Sequence, residues 1–137
     1  MTNWETYKKT MLTPPSLWAA AKENDLPLLA RLHAEGGGLD TRDERGYSPL
    51  MLAAYSGHAD AVDLLLRLGA DPNSIDLAGN TVLMGATFKG YDAIVRALLA
   101  AGANATTRNL AGLDARGFAV MFGRTHLLEL FPHLEPA

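Results

Sequence analysis

Four histidines, a set of aspartates and one triple-glycine run are the residues with chemistry to offer, and their spacing decides whether it is used. His33, His58, His126 and His133 are scattered along the chain, with no His-Glu-x-x-His pair and no cysteine to complete a metal site. No metal ligands are assigned. Asp40, Asp43, Asp71 and Asp76 could be imagined as a paired acid and base. They lie in turn-rich stretches, however, where an Asp side chain accepts from amides two residues on, so turn stabilisation is their expected work. Gly36-Gly37-Gly38 could cradle a phosphate, but it ends a helical stretch instead of opening one, and no Lys-Ser or Lys-Thr follows. Asn104-Ala105-Thr106 matches a glycosylation sequon and is given no weight without a secretory signal. No nucleophile, base and orienting group fall together, so we expect no enzyme, no catalytic residue and no cofactor.

The composition narrows the field further. A chain of 137 residues has room for one domain, and 48% apolar with 20% charged residues is the balance of a folding globular chain. A net charge of −3, with no run of Lys or Arg, gives no attraction for phosphate backbones, so nucleic acid is not expected as a partner. The absence of cysteine removes disulfides and thiolate chemistry and leaves the cytoplasm as the default compartment. Met1-Thr2-Asn3-Trp4-Glu5-Thr6-Tyr7-Lys8-Lys9 is polar where a signal peptide is apolar, and no stretch of about 18 apolar residues occurs. Neither secretion nor a membrane is expected.

What must position any site is a repeat. Gly46, Gly79 and Gly112 stand 33 residues apart, as do Gly57, Gly90 and Gly123, and Gly69 and Gly102. Apolar columns keep the same step: Leu17, Leu50, Leu83; Leu29, Val62, Val95, Leu128; Leu32, Leu65, Leu98, Phe131. Ser48 can cap a short helix that Pro49 opens, with small Ala53 and Ala54 allowing close helix approach and Gly57 providing the exit. A second helix follows, with Val62, Leu65 and Leu66 as its buried stripe and Asp60, Asp63 and Arg67 in solvent. Two residues break the pattern. Arg116 falls in the column of Leu17, Leu50 and Leu83, which a local shift of the last repeat would explain better than pairing with Asp114. His33 falls in the column of Leu66 and Leu99, tolerable if that corner is wet.

The unit Asp43-Glu44-Arg45-Gly46-Tyr47-Ser48-Pro49-Leu50-Met51-Leu52-Ala53-Ala54-Tyr55-Ser56-Gly57-His58, followed by Ala59 to Asn73, closely resembles the ankyrin repeat. The unit from Gly79 to Asn104 keeps the pattern with Val82 where the family prefers proline. The resemblance covers about residues 16–134 and implies an all-α solenoid of about four stacked helix-turn-helix repeats (about 16–42, 43–75, 76–108 and 109–134) joined by short hairpin loops. Residues 1–15, with a Thr2-x-x-Glu5 capping box, are expected to form an N-terminal capping helix and linker ahead of a repeat domain spanning 16–137. In the family's Gly-His pair, His58 is expected to make a local hydrogen bond.

The resemblance further implies a protein-binding module, an adaptor, accessory or inhibitory partner, gripping a protein of unknown identity through its concave groove; on its own the chain is expected to be a monomer. In its compactness and its Pro-Leu-Met-Leu-Ala-Ala phrasing it is similar to small bacterial ankyrin proteins. The rows facing that groove assign Glu44, Arg45, Tyr47, Tyr55, Ser56, Asn80, Phe88 and Lys89 to partner binding. Tyr47, Tyr55 and Phe88 are expected to be exposed aromatic anchors, so that changing Tyr55 and Phe88 to Glu leaves the thermal transition nearly unchanged. The competing readings are a self-associating structural unit and a ligand-binding protein or enzyme, which would need a deep polar pocket.

Overall fold

The structure is a computed structural model and describes residues 16–131. The capping helix expected over 1–15 and the last residues of the fourth repeat lie outside the described residues. Four helix pairs follow one another: α1 (Leu17–Lys22) with α2 (Leu26–Ala34), α3 (Pro49–Tyr55) with α4 (Ala59–Leu68), α5 (Val82–Lys89) with α6 (Asp92–Ala100), and α7 (Ala115–Met121) with a 3₁₀ helix, Thr125–Leu130.

From the second repeat on the caps keep the sequence step, Ser48, Thr81 and Asp114 standing 33 residues apart, and Ser16 lies one residue out of that register. Ser16, Ser48, Thr81 and Asp114 each accept the amide hydrogen bond that starts a first helix. Gly57 and Gly90, at φ of 78° and 74°, let the chain turn out of α3 and α5 in a conformation that a Cβ disfavours. First helices then stack on first helices, α1 on α3 on α5 on α7, and second helices on second helices, α2 on α4 on α6. Ala20, Ala21, Ala53, Ala54 and Ala86 are fully buried in the first layer, where only small side chains let the backbones approach. Leu29, Val62, Leu65, Val95 and Leu98 fill the space between the two layers. Leu66 is only half-buried, so the stripe on α4 is narrower than its sequence suggests.

Between pairs, each finger is tied by a side chain at the same register position. Asp43 Oδ1 accepts from the amides of Arg45 and Tyr47, Asp76 Oδ1 from those of Ala78 and Asn80, and Asn109 Oδ1 from those of Ala111 and Leu113. Asp40 Oδ1 accepts from Asp71 N, and Asn73 Oδ1 from Asn104 N, which ties each repeat to the next. Asp43, Asp71 and Asp76 therefore work as turn locks, as expected, each accepting from the amide two residues on, whereas Asp40 ties one repeat to the next instead. An antiparallel bridge, Ile75 with Thr81, closes the finger of the third repeat, called the third finger as that of Asp43 is called the second.

Two expectations are corrected. The last repeat does not shift: Asp114 caps α7 at the position of Ser48 and Thr81, and Arg116 stays in the leucine column. Its guanidinium is half-buried and donates to Leu128 O at 3.4 Å, while Asp114 is occupied with the amide of Gly117. The hydrogen bond of His58 is also not local. Its Nε2 lies 2.8 Å from Lys22 O, the carbonyl at the end of the preceding repeat's first helix, and Arg124 Nε makes the equivalent bond to Phe88 O at 3.3 Å. His33 is half-buried, and among the described residues its Nδ1 has no hydrogen-bond partner.

Candidate partner-binding groove

The finger of the third repeat and the inner sides of α3 and α5 enclose a groove of about 340 Å³, lined by Tyr47, Tyr55, Asp76, Asn80, Gly85, Phe88, Lys89 and Phe118. Five of the eight residues assigned from sequence meet there: Tyr47, Tyr55, Asn80, Phe88 and Lys89. Glu44 and Arg45 stand exposed on the neighbouring finger, and Ser56 is exposed at the end of α3.

The groove exists because of Gly85. The 33-residue register gives that column Leu52 in one repeat and Phe118 in another, and glycine between them removes a side chain from the wall. The Tyr55 ring occupies part of the vacated space so closely that a Cβ at position 85 would overlap it. Tyr55 meets Tyr47 edge to face at a centroid distance of 5.8 Å, and Phe88 meets Phe122 in the same manner at 4.7 Å. The expectation that Tyr47 and Tyr55 are exposed therefore fails: both are half-buried, and Tyr55 belongs to the packing between repeats. Of the three aromatics only Phe88 is exposed, at 43% of its surface.

Burial first, then the nearby Asp76 carboxylate and Tyr47, push the Tyr55 phenol above the usual tyrosine range. Tyr55 and Asp76 both line the groove. Asn80 is held between repeats, its Nδ2 donating to Asp76 Oδ2 at 3.2 Å and its Oδ1 accepting from Asn109 Nδ2 at 2.8 Å. Lys89 stands exposed at the mouth. No proton-transfer pair is built here; the arrangement suits holding a side chain between aromatic walls and a polar end.

Asp76, Gly85 and Phe118 were not assigned from sequence. The break at Gly85 was visible in the aligned columns, whereas the approach of Asp76 depends on how its finger folds back. A second groove, of about 470 Å³, lies on the opposite side among Asp63, Leu66, Arg67, Ala97, Ala100 and Ala101. It has no aromatic side chain in its walls.

The comparisons agree with this architecture. A family model described as ankyrin repeats, in three copies, matches residues 17–109. The chain belongs to the ankyrin-repeat family. The human ankyrin repeat domain-containing protein 49 is 45% identical over 80 residues, covering 53% of this chain and 33% of that protein. An ankyrin repeat-containing protein of Treponema pallidum is 37% identical over 117 residues, covering 85% of this chain and 39% of its own length. The human ankyrin repeat domain-containing protein 29 is 41% identical over 66 residues, 48% of this chain and 22% of that one. The chain thus spans between about a fifth and two fifths of these relatives. Ankyrin repeats are in general protein–protein interaction modules, and their family is typically non-enzymatic. Among the described residues, no helix is long and apolar enough to cross a membrane.

Proposed function

We propose that this ankyrin-repeat chain is a binding module for one protein partner, acting in the cytoplasm as an accessory or inhibitory factor and seating a segment of that partner in the groove over Gly85. The observation that carries the reading is the convergence of aromatic side chains on a column position where glycine leaves a gap. Aromatic residues that meet in a partly enclosed recess, with Arg and Lys at its edge, have the composition of interaction hot spots. In this reading Tyr47, Tyr55, Phe88 and Phe118 form the walls, Asn80 and Asp76 the polar end, and Lys89, Ser56, Glu44 and Arg45 the rim. The outer groove among Asp63, Arg67 and Ala97 is the weaker candidate, because no aromatic side chain lines it to serve as an anchor.

The test uses Phe88→Glu, since Phe88 is the exposed member of the set. The full chain should capture a defined protein from lysate, and the variant should lose that protein while melting within a few degrees of the original. Equal capture by Phe88→Glu would defeat the groove assignment.

A further inference from the structure

The fingers of the second and third repeats share their aspartate and glycine but differ at Glu44/Leu77, Arg45/Ala78, Tyr47/Asn80 and Ser48/Thr81, and the change at Arg45 indicates what the groove holds. In the second finger, Arg45 lies 3.8 Å from the Asp43 carboxylate and its guanidinium sits 4.8 Å from the centroid of the Tyr47 ring. A guanidinium, an aspartate and an aromatic face thus complete one another within the chain. In the third finger Asp76 repeats Asp43, but Ala78 stands where Arg45 does. Among the described residues no ion pair reaches Asp76. Its Oδ1 is used by two amides and its Oδ2 accepts only the neutral Asn80 amide at 3.2 Å. Asp76 lines the groove together with Tyr55 and Phe88.

We propose that the groove takes an arginine side chain presented by the partner, its guanidinium against Asp76 and stacked on the aromatic wall. This rests on the protein-binding reading above and names the chemistry of the anchor. A guanidinium has what the site asks for: a flat face for the rings and several donors for a carboxylate with an unused lone pair. The volume, about 340 Å³, is at the small end for ligand sites and suits one long side chain. Lys89 at the mouth favours an acidic residue beside that arginine in the partner segment.

Asp76→Asn removes the carboxylate charge and keeps the turn lock, because Asn109 already occupies the same finger position and locks its turn through Oδ1 at 3.0 Å; beyond the charge it gives up only the Oδ2 acceptor for Asn80 Nδ2. A random peptide library displayed on phage is selected against the full chain, and the winners are measured on the original chain, Asp76→Asn and Phe88→Glu. The expected winners share an arginine at one fixed position and fail on Phe88→Glu. Replacing that arginine by the neutral isostere citrulline should weaken binding about 10- to 100-fold on the original chain and add little on Asp76→Asn. Winners that need Phe88 but lack arginine, or that ignore Asp76→Asn, overturn the arginine seat and leave the groove reading standing. Winners that ignore Phe88→Glu, or a library yielding no winner, count against the arginine seat, and the former also defeats the groove.

Discussion

At the scale of single residues, the contact between Tyr55 and Gly85 decides the shape of the inner face. Gly85→Ala places a methyl group inside the Tyr55 ring, so the ring must move and the chain should lose about 1–3 kcal/mol of stability. The loss should shrink sharply in a Tyr55→Ala background, and denaturant unfolding of the four chains of that cycle measures it. The phenol gives a second test. Its folded-state value is raised above the ordinary one near 10, so its contribution to stability is complete below that value and is lost as pH rises through the higher folded value. An alkaline titration followed by phenolate absorbance should show one of the four tyrosines ionising late, and Tyr55→Phe should remove that late step. All tyrosines ionising together would contradict the burial. Which residues share the inner row was legible from the register alone. How deep each sits was not, because the depth of Tyr55 is set by a missing side chain 30 positions further on.

Elements were the most legible part of the sequence, since each is closed by a local rule. Ser48 with Pro49, and Gly57 with the stripe of Val62 and Leu65, specify α3 and α4 before any tertiary contact is known. Removing Leu65, which has no exposed surface, should cost about 2–5 kcal/mol as Leu65→Ala. The finger lock makes a contrasting pair: Asp43→Ala should destabilise by about 1–3 kcal/mol, whereas Asp43→Asn should change little, as Asn109 fills that role naturally. Thermal unfolding of both variants checks this, and equal losses would show that the turn does not depend on the Oδ1 acceptor. The fourth repeat was harder to read. Arg116 looked like a register error because a leucine column was assumed to be sealed; at the last layer the guanidinium instead reaches the Leu128 carbonyl. The following helix is 3₁₀ and stops at Leu130, where Pro132 in the sequence holds Phe131 in extended backbone at φ −85° and ψ 139°.

For the whole molecule, stability is a sum of interfaces between neighbouring layers, and the described stack leaves its last layer open. Ala21, Ala54 and Thr87 are wholly buried in their shared column, yet Val120 in the same column is 62% exposed. Ala54→Glu should therefore unfold the chain, whereas Val120→Glu should stay within about 0.5 kcal/mol of the original. The stack itself was readable from the 33-residue step, while the groove emerged only when three columns were brought side by side. The central claim is that the inner side, over Gly85, is the one that meets the partner. Site-specific photo-crosslinking tests it most directly, with a benzophenone side chain placed at Lys89 on the inner rim or at Arg67 on the outer groove, and the captured protein present. A covalent adduct is expected from position 89 and none from position 67. An adduct from position 67 alone would contradict it.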